Sequence, residues 1–345
     1  MRNTRTLHAP AAFAGAALPL APALTLALAL ALALALAPAQ AVAQTDFAAV
    51  EIKTHHVSGN VYMLVGAGGN MAVSVGDDGV LLVDDQYAPL TDKIAAAIRT
   101  LSDEPIKYVI NTHLHGDHTG GNANFAERGA VIVGHENARM RMAAAATSEG
   151  ALPVLTFSEP VSFHFNGEEI SVIPAAAPAH TDGDALVYFR GSNVLHTGDV
   201  YVTLSFPVAD TANGGTLLGH IDVLNQILEL SRTAPGFLSG FGNAPSAYPE
   251  RPIGALGRPH GRTDTLIVPG HGRLADEADV LYFRNMVAII RDRVQAWAER
   301  GMTLEQILAA RPALGWEARY GADTGPRTTR RFIETIYAEV TAGDE

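Results

Sequence analysis

The sequence predicts an α/β fold, and three observations carry that reading. Short apolar runs separated by glycine- and asparagine-bearing turns recur between Val61 and Val83 and again between Val161 and His196, the pattern of strands joined by hairpins. Apolar residues at helical spacing (Ile94, Ile98, Leu101) link the run ending at Val83 to the run Ile106 to Ile110, which makes a strand, helix, strand unit. Several of the runs end on histidine or aspartate, and the C-terminal ends of strands are where α/β folds collect ligands.

The first 43 residues are expected to stand outside that fold. Arg2 and Arg5 are followed by no charge until Asp46, through an Ala/Leu repeat from Leu24 to Ala37, and the triplet Ala41-Val42-Ala43 precedes Gln44. A basic start, an apolar run and small residues at a cleavage site read as a secretory signal peptide cut after Ala43, so the mature protein is expected to be periplasmic or secreted. An uncleaved anchor is the alternative, since the run exceeds the roughly 20 residues a bilayer needs; Pro10, Pro19, Pro22 and Pro38 interrupt it and favour cleavage. The membrane is then met only through this segment, during export.

Cleavage removes two arginines and no acid, moving the net charge from −12 to −14. Such a chain repels phosphate backbones and offers no basic patch, which argues against nucleic acid as a partner. Residues 44–345 are expected to form a single domain, with a core over about 50–275 and C-terminal helices over 276–342. Cysteine is absent, so neither disulfides nor thiolate ligands are available.

In chain order, Val61 to Val65, Met71 to Val75 and Val80 to Val83 are strands, and the glycine-rich turn 66–70 reads as an ordinary loop rather than a flap. Thr91 is expected to cap the helix that carries Ile94 and Ile98. Ala130 to Val133 is a further strand, and Glu136 to Ala146 a helix on which Met140 and Met142, two apart, cannot both face the core. Val161 to Phe165 and Glu169 to Ile173 form a hairpin about Asn166-Gly167, followed by strands Ala185 to Phe189 and Val194 to His196. Leu217, Ile221, Leu224 and Leu228 share one face of a helix. His220, Phe206 and Pro207 are read as packing before pocket lining, and His196 as a core residue. Residues 235–263 are dense in glycine and proline and form an unusually long loop. Phe283, Val287, Ile290, Val294 and Trp297 line a C-terminal helix, Thr303 and Gln306 form a capping box, and Ile333, Ile336 and Val340 mark the last helix.

The chemistry is concentrated in Asn111-Thr112-His113-Leu114-His115-Gly116-Asp117-His118. Residues two apart in an extended segment point the same way, so His113 and His115 can approach one ion. Gly116 permits a turn, beyond which Asp117 and His118 are redirected toward a second. Farther on, Val194 to His196 delivers Asp199, a carboxylate whose burial at a strand end calls for a nearby cation. The run Thr265 to Val268 ends in Pro269-Gly270-His271, again a strand that leads to a histidine.

The H-x-H-x-D-H pattern, with Asn111-Thr112 before it and Thr119-Gly120-Gly121-Asn122 after it, resembles the signature of the metallo-β-lactamase superfamily. The resemblance implies a four-layer αββα sandwich with extra C-terminal helices. It also implies that His180, in His180-Thr181-Asp182-Gly183-Asp184, completes a first metal site with His113 and His115. Asp117, His118 and His271 then hold a second metal. Asp199 is similar to the aspartate that bridges both metals in glyoxalase II-like members, and Asp84, at the end of its strand, to one that hydrogen-bonds around the cluster. Asp85-Gln86 departs from the Thr-Gly that often follows.

Such a ligand set suits two zinc ions, with iron or manganese also tolerated. The expected function is an exported dinuclear zinc hydrolase of a small molecule, in which a metal-bridging hydroxide attacks a β-lactam, lactone, ester or thioester carbonyl. Asp117 is expected to orient that nucleophile. The absence of cysteine excludes lactamases that use it at the second metal. The alternatives are an iron-dependent persulfide dioxygenase-like enzyme on the same fold and a non-catalytic exported metal-binding protein.

Overall fold

Alternation of side chains along the strands decides the architecture. In the computed structural model, which describes residues 45–232 and 265–342, β-strands form two sheets. The first has seven strands in sequence order: β1 (Lys53–Ser58), β2 (Val61–Val65), β3 (Met71–Gly76), β4 (Gly79–Val83), β5 (Ile106–Ile110), β6 (Val131–His135) and β7 (Leu155–Phe157). It is antiparallel as far as β4 and parallel from β4 to β7. The second holds β8 (Val161–Phe165), β9 (Glu168–Pro174), β10 (Ala185–Phe189), β11 (Val194–His196) and β12 (Leu266–Val268) in the order β12-β11-β10-β9-β8. Only β11 and β12 run parallel.

Each buried strand is apolar on both faces because each sheet is covered on both. Leu81, Val83 and Ile110 of the first sheet meet Val187, Phe189 and Val268 of the second in one inner cluster. The alternate residues Val80, Leu82 and Val109 face outward onto Ile94 and Ile98 of helix α1 (Thr91–Arg99). The short helix α2 (Gly116–Thr119) lies in the turn after β5, and Phe125 of α3 (Asn122–Glu127) joins this outer layer. On the other side Leu186, Leu195 and Ile267 pack under α5 (Leu217–Arg232), α6 (Glu277–Ala298) and α9 (Thr329–Thr341). These are the four layers of an αββα sandwich. The remaining helices are α4 (Glu136–Ala144), α7 (Leu304–Ala310) and α8 (Leu314–Tyr320).

The strands of the hairpins and the C-terminal helices lie where the apolar periodicity puts them, and the Thr303/Gln306 capping box is formed. Met142 is buried and Met140 is 60% exposed. Thr91 differs from expectation: its hydroxyl donates to Ala88 O and helix α1 starts at Thr91 itself, led in by a 3-10 turn over Ala88–Leu90 without a side-chain cap. Strands β1 and β7 lie outside the runs that the sequence reading takes as strands. β1 is mostly exposed, with Val57 its one buried residue, and it is held by main-chain pairing to β2. The chain divides into units Met1–Thr45 and Asp46–Glu345, and all of these elements belong to the second. The expected signal segment 1–43 and the loop 235–263 lie outside the described residues.

The layer beneath the second sheet depends on aromatic packing. Phe283 of α6 is 1% exposed and sits 5.2 Å from Tyr201 and 5.6 Å from Tyr320, both edge-on. Replacing Phe283 by Ala removes the ring between both tyrosines and is expected to cost about 3–5 kcal/mol, measured as a lower midpoint in urea with unchanged slope.

Candidate metal centre

All seven metal-capable residues singled out in the sequence come together at strand ends. β5 leads to His113 through His118, the β9–β10 connection carries His180, β11 leads to Asp199 and β12 to His271. The motif itself does not stay extended. It turns at His115, the N-cap of α2, and that turn sends its two halves to different places.

His113, His115 and His180 form one group, Asp117, His118 and His271 a second, and His113, His118 and Asp199 a third, each with its ligand atoms within 4.8 Å of one another. Asp199 lies between the first two. Its Oδ1 is 3.3 Å from His118 Nε2, while its Oδ2 is 3.4 Å from His271 Nε2 and 3.8 Å from His180 Nε2. Asp117 Oδ2 is 3.2 Å from His271 Nε2.

Which nitrogen each ring presents follows from what holds the other. Asp84 is fully buried and adopts φ 60, a left-handed conformation that costs on the order of 1 kcal/mol outside glycine. In return its carboxylate accepts from Thr112 N at 2.8 Å, Thr112 Oγ1 at 2.8 Å and His118 Nδ1 at 2.7 Å. Thr112 Oγ1, having donated to Asp84, accepts from His113 Nδ1 at 3.0 Å. His180 Nδ1 donates to Val208 O at 2.6 Å and His115 Nε2 to Asp210 Oδ2 at 2.8 Å. The rings are thus turned so that His113, His118 and His180 offer Nε2 and His115 offers Nδ1.

This arrangement fits a cation on two counts. His115 Nδ1 and His180 Nε2 face each other at 2.8 Å with both ring protons committed elsewhere, and two lone pairs at that distance repel unless a positive centre lies between them. In addition His113 Nε2, His118 Nε2, His271 Nε2 and Asp199 Oδ1 are buried without a hydrogen-bond partner. Each such orphan costs about 1–3 kcal/mol, and metal ions would satisfy all four. Imidazoles with a few carboxylates suit zinc, iron or manganese.

The charges are arranged to the same end. Burial opposes charging His118, but the carboxylates of Asp199 and Asp84 outweigh it and hold the imidazole well above its ordinary range. Burial likewise opposes charge on His271, and the neighbouring carboxylates of Asp117 and Asp199 prevail and raise it. Asp117 would be raised by burial, yet the nearby rings of His271 and His118 bring it to about 2. Asp199 is driven well below the carboxylate range, against burial, chiefly by His118. Burial and the neighbouring His118 keep His113 neutral.

The glycine-rich turn 66–70 is stitched across the centre. Gly69 N donates to Asp117 O, Asn70 Nδ2 to Pro269 O and Gly272 O, and Asn70 O accepts from His196 Nε2. Two glycines let main chain pass where a side chain cannot: a Cβ on Gly69 would lie 2.1 Å from the His118 ring, and one on Gly270 2.0 Å from Asp199 Oδ1.

A cavity of about 340 Å³ opens over the cluster, with His115, Asp117, His180 and Asp199 in its wall. Phe206 both lines this cavity and stacks on Phe332 at 4.7 Å. His220 is buried in α5, bonded to Thr216 O, and desolvation lowers it to about 4. His196 is a core residue that ties Asn70 O to Gly198 N. Asp210, and the role of Thr112 within its motif, escaped the sequence reading. Asp210 carries only a local signal, the capping of Asn213 N, and its service to His115 spans 95 residues. Asp85, beside Asp84, is buried with Oδ2 unpartnered, and desolvation raises it well above the usual range.

Removing the carboxylate of Asp84 (Asp84→Ala) frees His118 and unseats Thr112, whereas Asp210→Ala frees only His115. Metal retention against graded chelator, followed by elemental analysis, is expected to fall about 10- to 100-fold for each, with the larger loss in Asp84→Ala. Wild-type retention in both variants would refute this orienting role.

Comparison with known proteins agrees with this geometry. The chain spans about half the length of the curated relatives it matches. It is 30% identical over 154 residues to the 2,4-dinitroanisole O-demethylase subunit alpha of Nocardioides sp. (strain JS1661), covering 44% of this chain and 46% of the relative. It is 31% identical over 154 residues to a hydroxyacylglutathione hydrolase of Synechococcus sp. (strain JA-3-3Ab), covering 44% and 55%. Among solved structures, a metallo-beta-lactamase from Pontibacter korlensis superposes with TM-score 0.53 at 17% identity, over 69% of this chain and 99% of its own. The DIM-1 metallo-beta-lactamase gives TM-score 0.52 at 15% identity, over 69% and 98%. At these identities the structures speak for the fold. The family model described as the metallo-beta-lactamase superfamily matches residues 58–238, and with the αββα layers and the histidine and aspartate cluster it establishes that the chain belongs to that superfamily.

Proposed function

We propose that this protein is an exported dinuclear zinc hydrolase acting on the carbonyl of a small lactone, ester, thioester or cyclic amide. The observation that carries the reading is the position of Asp199, whose two oxygens reach toward both histidine groups. His113, His115 and His180 would hold one ion and Asp117, His118 and His271 the other, with Asp199 shared. Zinc bound there supplies a nucleophilic hydroxide at neutral pH and polarises the carbonyl.

The chain's own residues do the rest. Asp84 and Asp210 fix ring orientations, so the ligand nitrogens need no rearrangement when substrate arrives. Asp117, ionised throughout the neutral range and set in the cavity wall, orients the attacking water by accepting its hydrogen bond. Phe206 and Val208 supply apolar wall. A second complete ligand group speaks for two ions and against a mononuclear iron dioxygenase. The export part of the reading rests on residues 1–43, and the mature chain would work in the periplasm or outside the cell.

Three outcomes test this. Purified mature protein is expected to hold two zinc ions and to hydrolyse at least one of a chromogenic cephalosporin, a lactone and a thioester, with loss on chelation; one iron with oxygen uptake and no hydrolysis would overturn it. Asp199→Asn, nearly isosteric but uncharged, is expected to lower kcat at least about 100-fold and to reduce zinc content, because one carboxylate serves both groups; unchanged zinc and rate would remove its bridging role. Metal uptake is also expected to be pH-linked. The neighbouring carboxylates strengthen proton binding to His118 and His271, so a cation competes with protons for these nitrogens. Zinc affinity should therefore fall as pH drops from 8 to 5, with proton release on binding, measured by calorimetric titration in buffers of different ionisation enthalpy.

A further inference from the structure

One wall of the cavity over the metal centre comes from neither sheet. Pro326, Arg327 and Arg331 line it together with His115, Asp117 and Asp210. They belong to the approach to α9 and its first turn, where Thr328 is the N-cap, and they lie beyond residues 58–238, the stretch that matches the family model. Four residues apart across this helix start, the two arginines come to the same wall. Arg330, beside them, points elsewhere and pairs with Glu334 and Glu305.

The two cavity arginines stand out electrostatically. The chain carries a net charge of −12, and four carboxylates, Asp84, Asp117, Asp199 and Asp210, lie within 3.4 Å of histidines of the cluster. Among the described residues the ion pairs engage Arg128, Arg141, Arg190, Arg273, Arg291, Arg311 and Arg330; of the arginines outside them, Arg327 and Arg331 are the two that line the cavity. Arg327 also lies close enough to Tyr87 for its charge to oppose burial and Asp117, which raise that phenol. A guanidinium presents a rigid fork of N–H donors matched to a planar oxyanion. A cavity near 340 Å³ is at the small end of ligand sites, roughly 300–1,000 Å³.

We propose that the substrate is a small acyl compound carrying a carboxylate remote from the bond that is cleaved, and that Arg327 and Arg331 hold that carboxylate while the acyl group lies against His115, Asp117 and Asp199. This rests on the hydrolytic reading above and adds a substrate class to it. The arginines are specificity residues: they touch the anionic end and take no part in bond breaking.

The test compares the S-phenyl thioester of adipic acid with that of its monomethyl ester on the zinc-loaded full chain, beside calorimetric titration with adipate. Wild type is expected to favour the anionic thioester in kcat/KM. In Arg327→Ala/Arg331→Ala the anionic-to-neutral ratio is expected to fall roughly 10- to 100-fold, and adipate binding to weaken to a similar extent. Arg330→Ala, which loses the same charge from the same helix, should keep both values, and 0.5 M salt should compress the wild-type preference. No anionic preference in wild type, or an unchanged ratio in the double variant, overturns the proposal while leaving hydrolysis standing. If neither thioester is turned over, the adipate titration decides alone: binding lost in the double variant and kept in Arg330→Ala supports the anion site, and equal binding in all three overturns it.

Discussion

Asp84 is the constraint on which the centre depends. It ends β4 in a left-handed conformation, and from there one buried carboxylate reaches the main chain and hydroxyl of Thr112 and the ring of His118. Through Thr112 it also sets the proton of His113. One residue on the strand beside β5 thereby orients a ring in each histidine group. An anion buried this deeply is stable only because three donors converge on it, and those donors converge only because β4 and β5 are parallel neighbours whose ends lie side by side.

The same logic extends to the second sheet. β11 and β12 are the parallel pair there, and they deliver Asp199 and His271. The inner apolar cluster between the sheets holds the two pairs of strand ends face to face. Dispersed along a chain, these groups would each be hydrated; assembled and dehydrated, they repel or lack partners. Folding therefore builds a site with unsatisfied bonding capacity, supported by the hydrophobic layers around it, and a metal ion recovers that cost. The stitching of Asn70 to Gly272, Pro269 and His196 locks the two sheets together above the cluster, which is why the glycine-rich turn behaves as part of the frame.

The hairpins, the amphipathic helices and the metal-capable residues were legible because each leaves a local signature. Leu186 and Val187 face opposite sides of β10 through a period of two, and Phe283, Val287 and Ile290 face one side of α6 through a period near 3.6. β1 was not legible, since an exposed edge strand held by main-chain pairing has no reason to be apolar. The start of α1 was misplaced because a 3-10 turn tightens its entry and takes the hydroxyl of Thr91 for Ala88 O. Asp210, Val208 and the two cavity arginines were silent: an aspartate in a turn or an arginine near a helix start is usually solvated, and nothing nearby in sequence distinguishes these.

By itself, the amino-acid sequence determined the α/β layering and the set of residues able to bind metal, because periodicity and the clustering of histidine with aspartate are properties of neighbours along the chain. Only the tertiary structure decided how those residues are grouped, which ring nitrogen each offers, and what lines the space above them. Those depend on contacts between segments far apart, such as His115 with Asp210 and the centre with the start of α9. Their distances are set by how the sheets and helices pack, which no local pattern encodes.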